Sequence, residues 1–373
     1  MNPFKYGNIV SGKFFYNRKV ELERVKATLS GGNNLVLYAP RRYGKSSLVN
    51  KALIELGKEG FITVYIDFMA IYSSEIFIRN YSNAVVSKKK SSIEKITKYI
   101  SKIIRGIVPT VSFNQSGVPE FSFSWIEGSN KEETLEDVIN LPEKLSSSKE
   151  KWIIAFDEFQ EITKLNGESF EKILRSLIQH HKNVTYLFLG SRTHLLKDMF
   201  SNRNRAFYNS AMLMNLDKIN IDDSVNYLIR KFSNEKIKIS KEVAAYLVNK
   251  VNAIPYFIQF VAAEIWQDVI TKNKVVEKRL VDKSIKSIIE LKSDYYWELT
   301  SKQTNYRKKV LHALSCSNNG IYAKETIKKF NLGANSTTQK AIATFIDDGI
   351  IEKYNNELLF SDPIYKMFLE ENL

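Results

Sequence analysis

The sequence predicts an α/β protein with a parallel sheet, followed by a helical lid and a C-terminal winged-helix domain. Three observations support this fold class. Over the first 216 residues, apolar runs of strand length alternate with segments that carry apolar residues at helical spacing. One of these strand-to-helix junctions contains a Gly-Lys-Ser turn. The chain ends with three short helical patterns and two strand-like runs joined by Asn355-Asn356.

The domain organisation follows from length and periodicity. A chain of 373 residues suits two or three domains, and a hydrophobic content of 44% is sufficient for packed cores. We predict a core domain at residues 1–216, with a β-hairpin inserted near 108–125. Residues 217–295 should form a lid that is helical throughout from Ile221 to about Ile289, because apolar residues recur there at helical spacing. Residues 300–373 should form the winged helix, with a capped third helix from Ser336.

The charge balance and cysteine content narrow the class of protein. The net charge of +14 favours an anionic partner such as a nucleotide, a nucleic acid or an acidic protein surface. A lysine-rich proteome explains the same balance equally well. A single cysteine excludes an internal disulfide and fits a reducing cytoplasm, where we expect the protein to be. We find no apolar run long enough to cross a membrane, which argues against a transporter.

The most informative stretch lies between the apolar run Asn34–Tyr38 and a helical pattern that begins near Leu48. A strand, a tight turn that ends in Gly-Lys-Ser and a helix form the layout of a phosphate-binding loop. Backbone N–H groups curl around the phosphates in such a loop, and the helix N-terminus faces them. The predicted nucleotide-binding residues here are Pro40, Arg41, Arg42, Tyr43, Gly44, Lys45, Ser46 and Ser47.

Two residues of this loop have predicted chemical roles. Lys45 should reach the β- and γ-phosphates of ATP, and the Ser46 hydroxyl should bind Mg²⁺. Ala39 stands where the first glycine of the GxxxxGK[ST] pattern is expected, so the loop must begin with nearly ordinary backbone. The alternative is an ordinary strand–helix connection, but that does not explain why lysine and serine follow the glycine.

A second motif ends the apolar run Trp152–Phe156 with Asp157 and Glu158. In open α/β sheets, ligands bind at the carboxyl ends of the strands. Asp157 should hold the Mg²⁺ ion, directly or through water. Glu158 should polarise the water that attacks the γ-phosphate. An aspartate alone could cap a helix, but the pair in a chain that already carries a phosphate loop is more specific.

Further candidates follow from their positions along the chain. Ser191 ends another predicted strand and should sense the γ-phosphate, or alternatively cap the next helix. Arg203 and Arg205 lie on a predicted surface stretch, and either could reach a phosphate in a neighbouring subunit. A solvated loop arginine is the default alternative. Asn17 and Arg18 precede an amphipathic segment that could wall the adenine, or could belong to a packing helix.

The segment from residue 71 to residue 105 is predicted to be helical, with an isoleucine stripe on one face. The other face is basic and is either solvated or a docking surface. Its cations are Lys88, Lys89, Lys90, Lys95, Lys98, Lys102 and Arg105. A turn at Asn114–Gly117 would close the inserted hairpin.

These motifs together resemble those of the archaeal-type ATPases in the signal-transduction (STAND/MNS) branch of the AAA+ P-loop NTPases. The resemblance covers roughly residues 10–373 and is strongest at the Walker A and Walker B motifs described above. It rests on the phosphate loop with its paired arginines, Asp157-Glu158-Phe159-Gln160, Ser191 and Ala253-Ile254-Pro255-Tyr256. The family usually has Gly-x-Pro at the last motif, so Ala253 is a departure.

The resemblance implies a sheet of strand order 5-1-4-3-2, a helical lid and a C-terminal winged helix. It also implies a Mg²⁺-dependent ATPase that acts as a nucleotide-driven switch, often through homo-oligomers. Pro255 would place a helix N-terminus beside the adenine and couple the lid to the nucleotide state.

The winged helix leaves an alternative open, in which the protein is a nucleotide-bound regulator that binds DNA. The third helix of such a domain can enter the major groove. From Gln303 to Leu373, however, the net charge is only +1. Because phosphate contacts supply most DNA affinity, a structural or protein-docking role is favoured over DNA binding for this domain.

Overall fold

The computed structural model describes residues 2–10, 12–89, 93–113, 119–165, 168–270, 275–317, 320–354 and 357–373. Its chain forms two compact units. The sheet unit comprises Arg18–Ala39 and Lys45–Leu216. The C-terminal unit comprises Met1–Asn17, Pro40–Gly44 and Asp217–Leu373. The predicted turn at Asn114–Gly117, the predicted wing tip at Asn355-Asn356 and the predicted surface cation Lys90 lie outside the described residues.

The sheet unit is built on five parallel strands, with a separate antiparallel hairpin inserted between two of them. In chain order, its strands are β1 (Leu35–Tyr38), β2 (Ile62–Asp67), β3 (Ile107–Phe113), β4 (Pro119–Trp125), β5 (Trp152–Asp157), β6 (Val184–Gly190) and β7 (Met212–Asn215). The five-stranded sheet has the order β2-β5-β6-β1-β7, and every neighbouring pair is parallel. When only these five strands are numbered, this is the predicted order 5-1-4-3-2. β3 and β4 form the predicted hairpin.

Eight helices accompany these strands in the described part of the sheet unit. They are α1 (Lys19–Ser30), α2 (Lys45–Lys58), α3 (Ser74–Val86), α4 (Ile93–Ile103), α5 (Lys131–Ile139), α6 (Leu141–Leu145), α7 (Glu168–Ile178) and α8 (Thr193–Ser201). Polar residues fix several starts. The Ser73 side chain accepts a hydrogen bond from Ile76 N, and Asn130 accepts one from Glu132 N. The segment at 71–105, which was predicted to be helical, contains the two helices α3 and α4.

The core of the sheet unit explains its apolar strand sequences. All residues of β5 and β6 are buried, as expected for central strands of a parallel sheet with both faces covered. An aromatic cluster packs beside the carboxyl end of β5. The ring of Phe159 lies 4.6 Å from that of Phe188 and 5.2 Å from that of Phe207. These contacts anchor the residues that directly follow Asp157 and Glu158.

The C-terminal unit is mainly helical. Its helices are α9 (Ile221–Asn234), α10 (Lys241–Lys250), α11 (Pro255–Val269), α12 (Lys278–Leu291), α13 (Ser293–Ser301), α14 (Asn305–Cys316), α15 (Lys324–Lys329), α16 (Asn335–Asp347) and α17 (Pro363–Asn372). Two-residue strands, β8 (Lys238–Ile239) and β9 (Val275–Val276), pair in parallel. The prediction that the lid is helical throughout was therefore wrong, because so short a pair leaves no period-2 pattern in the sequence.

The end of the chain forms the predicted winged helix. After α14, α15 and α16, the strands β10 (Ile351–Tyr354) and β11 (Glu357–Phe360) pair as the wing. One detail differs from the sequence prediction. The helix α16 begins at Asn335, and the residue before it, Ala334, makes no side-chain cap, so Ser336 does not cap this helix. In the part of the chain that is described, no helix has the length and apolar character needed to cross a bilayer.

Candidate nucleotide-binding site

The predicted phosphate loop begins with ordinary backbone, as expected from the sequence, but contains left-handed φ angles further along. Ala39 is buried and has no positive φ, as expected for an alanine at the position where the pattern has glycine. Its N–H lies 3.4 Å from the carbonyl oxygen of Gly190. Positive φ angles occur further on, at Gly44 (89°) and at Arg42 (73°). Sequence reasoning named Arg42 but not its left-handed backbone, because a non-glycine residue rarely adopts this conformation.

Contacts within the C-terminal unit hold Arg42 in this conformation. Its guanidinium carbon lies 5.1 Å from the ring centre of Tyr256 and 4.8 Å from that of Phe257. Its Nη1 lies 3.1 Å from Oδ2 of Asp362. The Tyr256 N–H points back at the Arg42 carbonyl, at 3.4 Å. The loop arginine is therefore fixed by the start of α11 and by the residue that precedes α17.

Asp362 is the centre of a charged cluster that the sequence did not reveal. Its Oδ1 accepts hydrogen bonds from the backbone N–H groups of Ile364 and Tyr365 and so caps α17. Its Oδ2 accepts from Lys292 at 3.3 Å and from the Tyr296 hydroxyl at 3.2 Å, besides Arg42. The Asp-Pro pair could have predicted the cap, but no local pattern predicts the three long-range donors.

Lys45 brings the two sequence motifs together inside the sheet unit. It is the first residue of α2 and is only 6% exposed. Its Nζ lies 3.0 Å from Oδ1 of Asp157 and 3.2 Å from Oε1 of Glu158. An ammonium group at a helix start and two carboxylates at a strand end thus form one buried charge cluster. The neighbouring Ser46 is half-buried, and Ser47 is buried.

Asp157 ends β5 and is held from two further directions. Its Oδ1 accepts a hydrogen bond of 2.8 Å from the Glu158 N–H. Its Oδ2 is bonded to the hydroxyl of Tyr65, which lies on the neighbouring strand β2. Burial and the adjacent Asp157 carboxylate raise the pKa of Tyr65, so its hydroxyl stays protonated and can donate. Sequence reasoning missed Tyr65, because its role depends on which strand lies beside β5.

Glu158 has a carboxylate with donors on both oxygens. Its Oε2 accepts from the Ser191 hydroxyl at 2.8 Å, from the Ser191 N–H at 3.2 Å and from Gln160 Nε2 at 2.6 Å. Burial pushes the pKa of Glu158 upward, but Lys45 and these donors outweigh it and lower the pKa below its usual value. The Glu158 carboxylate is therefore an anion in the folded protein. The backbone of Glu158 is left-handed, with a φ of 47°.

Ser191 follows β6 and contacts Glu158 as described. The alternative prediction, that it caps the next helix, is wrong, because α8 is preceded by Arg192 and has no side-chain cap.

The two candidate arginines differ from each other. Arg203 is exposed. Arg205 Nη2 lies 2.5 Å from the Glu171 carboxylate, which is only 2% exposed, so this arginine is tied to α7 of its own chain.

The three predicted adenine-side residues are held by local contacts. In the C-terminal unit, the side-chain amide of Asn17 donates to Asp223 at 2.8 Å, and Pro255 is the first residue of α11. In the sheet unit, Arg18 is 4% exposed, and its Nη1 lies 2.7 Å from Oε1 of Glu21. Asn17 and Arg18 both have positive φ angles. This strained pair of residues precedes α1.

The basic helical segment is partly neutralised by its neighbours. Lys89 forms an ion pair with Glu150. Arg105 lies 2.8 Å from Asp137, through Nε, and 2.7 Å from Glu133, through Nη1. Lys88, Lys98 and Lys102 are exposed. The segment therefore offers fewer unpaired cations than its sequence indicated.

The donor set around Lys45 fits a hard divalent cation. The Ser46 hydroxyl and the Asp157 carboxylate are oxygen ligands of the kind that Mg²⁺ prefers, and such sites are completed by phosphate oxygens and water. Among the described residues, no cluster of three or more His, Cys, Asp or Glu side chains is suited to a metal ion.

Comparisons with known proteins identify the families of the two parts of the chain and similar folds. Residues 15–259 match the family of ATPase domains found predominantly in Archaea, and residues 294–371 match a winged-helix domain family. A Walker-type ATPase of Pyrococcus abyssi is similar in structure, with a TM-score of 0.67, 18% identity, and coverage of 98% of this chain and 99% of the other. The Aeropyrum pernix ORC2 protein, in ADPNP–ADP complexes, has a TM-score of 0.56, 13% identity, and coverage of 99% and 96%. No curated protein matches the sequence.

Proposed function

The chain belongs to the family of archaeal-type AAA+ ATPase domains, and we propose that it binds ATP with Mg²⁺ and hydrolyses it to ADP and phosphate. The observation that carries this proposal is the cluster of Lys45, Asp157 and Glu158. The Lys45 ammonium lies within 3.2 Å of both carboxylates. A lysine at a helix N-terminus and two acids at a strand end are the groups that phosphoryl transfer to water requires.

Each residue then has a role set by its chemistry. The phosphates of ATP compete with Asp157 and Glu158 for the Lys45 ammonium, because they carry a larger negative charge. We assign Lys45 to the β- and γ-phosphates and Glu158 to the attacking water. Ser46 and Asp157 would hold Mg²⁺, which neutralises charge on the phosphate oxygens when bound. Ser191, bonded to Glu158, would sense the γ-phosphate.

We assign the remaining nucleotide contacts to the loop and to the adenine side. Backbone N–H groups of Pro40–Ser47 other than that of proline would surround the phosphates. Asn17, Arg18 and Pro255 would contact the base or ribose. The contacts of Arg42 with Asp362, Tyr256 and Phe257 support this role for the loop, because they fix its backbone before a ligand arrives.

The family relationship suggests a nucleotide-driven switch of the STAND type, in a cytoplasmic protein that assembles with copies of itself when ATP is bound. Exposed Arg203 is the better candidate for an arginine that reaches a neighbouring subunit, since Arg205 is tied to Glu171. Equal particle mass with ADP and with a non-hydrolysable ATP analogue, measured by sedimentation, would contradict this assembly.

A second candidate function concerns the winged helix. The exposed residues of α16 include Ser336, Thr337, Gln339 and Ala343, with Lys340 as the cation among them. One cation on this helix and a net charge of +1 for residues 303–373 favour a protein partner over DNA. Duplex DNA binding that weakens steeply with salt and is lost in Lys340→Ala would reverse this choice.

The Glu158→Gln substitution tests the hydrolysis proposal. Glutamine keeps the size and most hydrogen bonds of the side chain but cannot accept a proton from water. We expect the single-turnover rate of ATP hydrolysis to fall by about 10²-fold or more, as is typical for loss of a general base. Affinity for a non-hydrolysable ATP analogue should stay within about twofold, since no phosphate contact is removed.

Glu161→Gln is the matched control. Glu161 is a buried acid three residues further along the same turn and is paired with Lys164. It makes the same chemical change away from Lys45 and should leave the turnover rate unchanged. Full turnover in the Glu158→Gln variant would show that Glu158 is not the base.

A further inference from the structure

Gln160 is a buried polar residue that the proposed reaction does not yet use. It lies in the short 3-10 turn Phe159–Lys164 after β5 and is 3% exposed. Its Nε2 donates a hydrogen bond of 2.6 Å to Oε2 of Glu158. Its Oε1 has no hydrogen-bond partner among the residues that the structure describes. A buried amide that satisfies its donor side and leaves its acceptor unpaired is unfavourable unless its position serves another purpose.

The orientation of this amide is fixed by chemistry. If the oxygen and nitrogen were exchanged, the amide oxygen would face the Glu158 carboxylate, and two acceptors would meet. Glu158 also accepts hydrogen bonds from Lys45 and from the Ser191 hydroxyl, so its carboxylate acts as an acceptor throughout this cluster. The nitrogen of Gln160 therefore faces Glu158, and the oxygen faces the end of β6.

The end of β6 provides the space for that oxygen. Gly190 is the last residue of the strand, and a Cβ atom placed on it would lie 2.3 Å from Oε1 of Gln160. That distance is far inside van der Waals contact, so any side chain at this position would push the Gln160 amide away. The absence of a side chain at Gly190 thus leaves room for the amide of Gln160, in the turn after β5, to reach Glu158.

The distribution of donors makes the two oxygens of Glu158 unequal. Oε2 accepts three hydrogen bonds, from Gln160 and from the hydroxyl and N–H of Ser191. Within the described ranges of the chain, Oε1 accepts one, from Lys45 at 3.2 Å. When phosphates attract Lys45, Oε1 is the oxygen with free acceptor capacity, whereas Oε2 stays occupied.

We propose that Gln160 is a positioning residue that, together with Gly190, orients Glu158 so that its Oε1 receives the proton of the attacking water. This assignment rests on the proposed ATP hydrolysis. Glu158 has a left-handed backbone and makes no helix-cap bond, so its side-chain direction depends on these donors. A general base that turns away from its water loses the benefit of proximity, which is worth about 10²-fold for a displacement of 1 Å.

The Gln160→Met variant tests the proposal, because methionine has nearly the same length and volume but no N–H donor. We expect kcat for ATP hydrolysis to fall by about 10- to 100-fold. The KM for ATP and the affinity for a non-hydrolysable analogue should stay within about twofold. In the Glu158→Gln background, Gln160→Met should not lower the residual rate further, because the group it orients is already lost.

Gly190→Ala tests the second half of the pair. The added methyl group should lower kcat as strongly as Gln160→Met in the natural chain. A Gln160→Ala background removes the clash with the amide but not the 3.1 Å approach to Cδ2 of Leu196, so the further effect on kcat should be much smaller than in the natural chain. Gln160→Glu is the second variant should Gln160→Met fail to bind the analogue, and it should lower kcat at least as much because two carboxylates would then repel.

The possible results distinguish the positioning role of Gln160 from the proposed ATP hydrolysis. If the natural protein hydrolyses ATP, Glu158→Gln lowers the rate by about 10²-fold and Gln160→Met keeps full kcat, the positioning role is wrong and the ATPase proposal stands. Equal fold losses from Gln160→Met with and without Glu158 would also overturn it, because Gln160 would then act independently. A raised KM with unchanged kcat would assign Gln160 to ATP binding instead. Absence of ATP hydrolysis in the natural protein would remove both proposals.

Discussion

At the scale of single residues, the candidate site combines residues that sequence motifs predict with residues that become neighbours only in the folded chain. Lys45 and the pair Asp157-Glu158 were predictable, because each directly follows a strand pattern. Their closeness in the sheet unit agrees with that prediction. Tyr65 and Gln160 were not predictable as partners of these acids. A tyrosine in a strand or a glutamine in a turn has no local signature of its contact, which is set by strand order and by the empty space at Gly190.

A half-buried histidine in the sheet unit should make stability depend on pH. His181 lies between the Tyr186 hydroxyl, 2.7 Å from Nδ1, and Oδ1 of Asn140, 2.9 Å from Nε2. The Asn140 carbonyl oxygen requires an N–H on Nε2, so Nδ1 is the acceptor in the neutral ring. Burial, assisted by nearby His180 and opposed by Glu143, lowers the pKa of His181 to about 4.

Because the folded pKa lies below the unfolded one, the unfolded chain takes up this proton first as the pH falls. The contribution of His181 is fully present above about pH 6.5 and is lost between there and pH 4, up to about 3 kcal/mol in all. We expect the free energy of unfolding, from urea titrations, to fall over this range. The fall should be smaller in His181→Gln. An identical pH dependence in both proteins would contradict the assignment.

At the scale of elements, the strands and most helices were predictable because their apolar periods are unbroken. The β8–β9 pair and the start of α16 were not, since two residues carry no period and Ser336 offered a cap that the helix does not use. The strand order came from the family resemblance rather than from periodicity. Caps at α9, α10 and α14, by Asn220, Ser240 and Thr304, follow the ordinary residue preferences.

The end of α9 offers a direct test of backbone strain. Lys236 follows the helix with φ of 60° and is exposed. Its N–H bonds to the Ser233 carbonyl, and the next N–H, of Ile237, bonds to that of Phe232. Glycine is preferred in this left-handed position after a helix. Lys236→Gly should raise the free energy of unfolding by about 0.5–1 kcal/mol, since relief of strain exceeds the entropy cost of glycine.

Lys236→Ala is the control for that substitution. It removes the same charge and long side chain but keeps the Cβ atom that causes the strain. Chemical denaturation should show the alanine variant close to the natural protein and the glycine variant above both. A glycine variant no more stable than the alanine variant would mean that the helix end is not strained.

At the scale of the whole molecule, the chain crosses between its two compact units more often than the sequence suggested. We predicted three consecutive domains, at 1–216, 217–295 and 300–373. The compact units group Pro40–Gly44 and Met1–Asn17 with residues from Asp217 onward, and the division into three domains stays a prediction. The cause for the loop is visible in Arg42, whose partners Tyr256, Phe257 and Asp362 are all far along the chain. Sequence patterns do not report such distant contacts.

The boundary between the two units falls inside the loop. Pro40–Gly44 groups with the C-terminal unit, and the next residue, Lys45, groups with the sheet unit, where it contacts Asp157 and Glu158.

The most direct test of the account is a calorimetric titration of a non-hydrolysable ATP analogue, with Mg²⁺, into the natural protein and into Lys45→Ala. Lys58→Ala, a change of an exposed lysine at the far end of the same helix, is the control. We expect the dissociation constant to rise by about 100-fold or more in Lys45→Ala and to be unchanged in Lys58→Ala, because only Lys45 reaches the phosphates. Equal affinity in all three proteins would contradict the assignment of this loop as the nucleotide site.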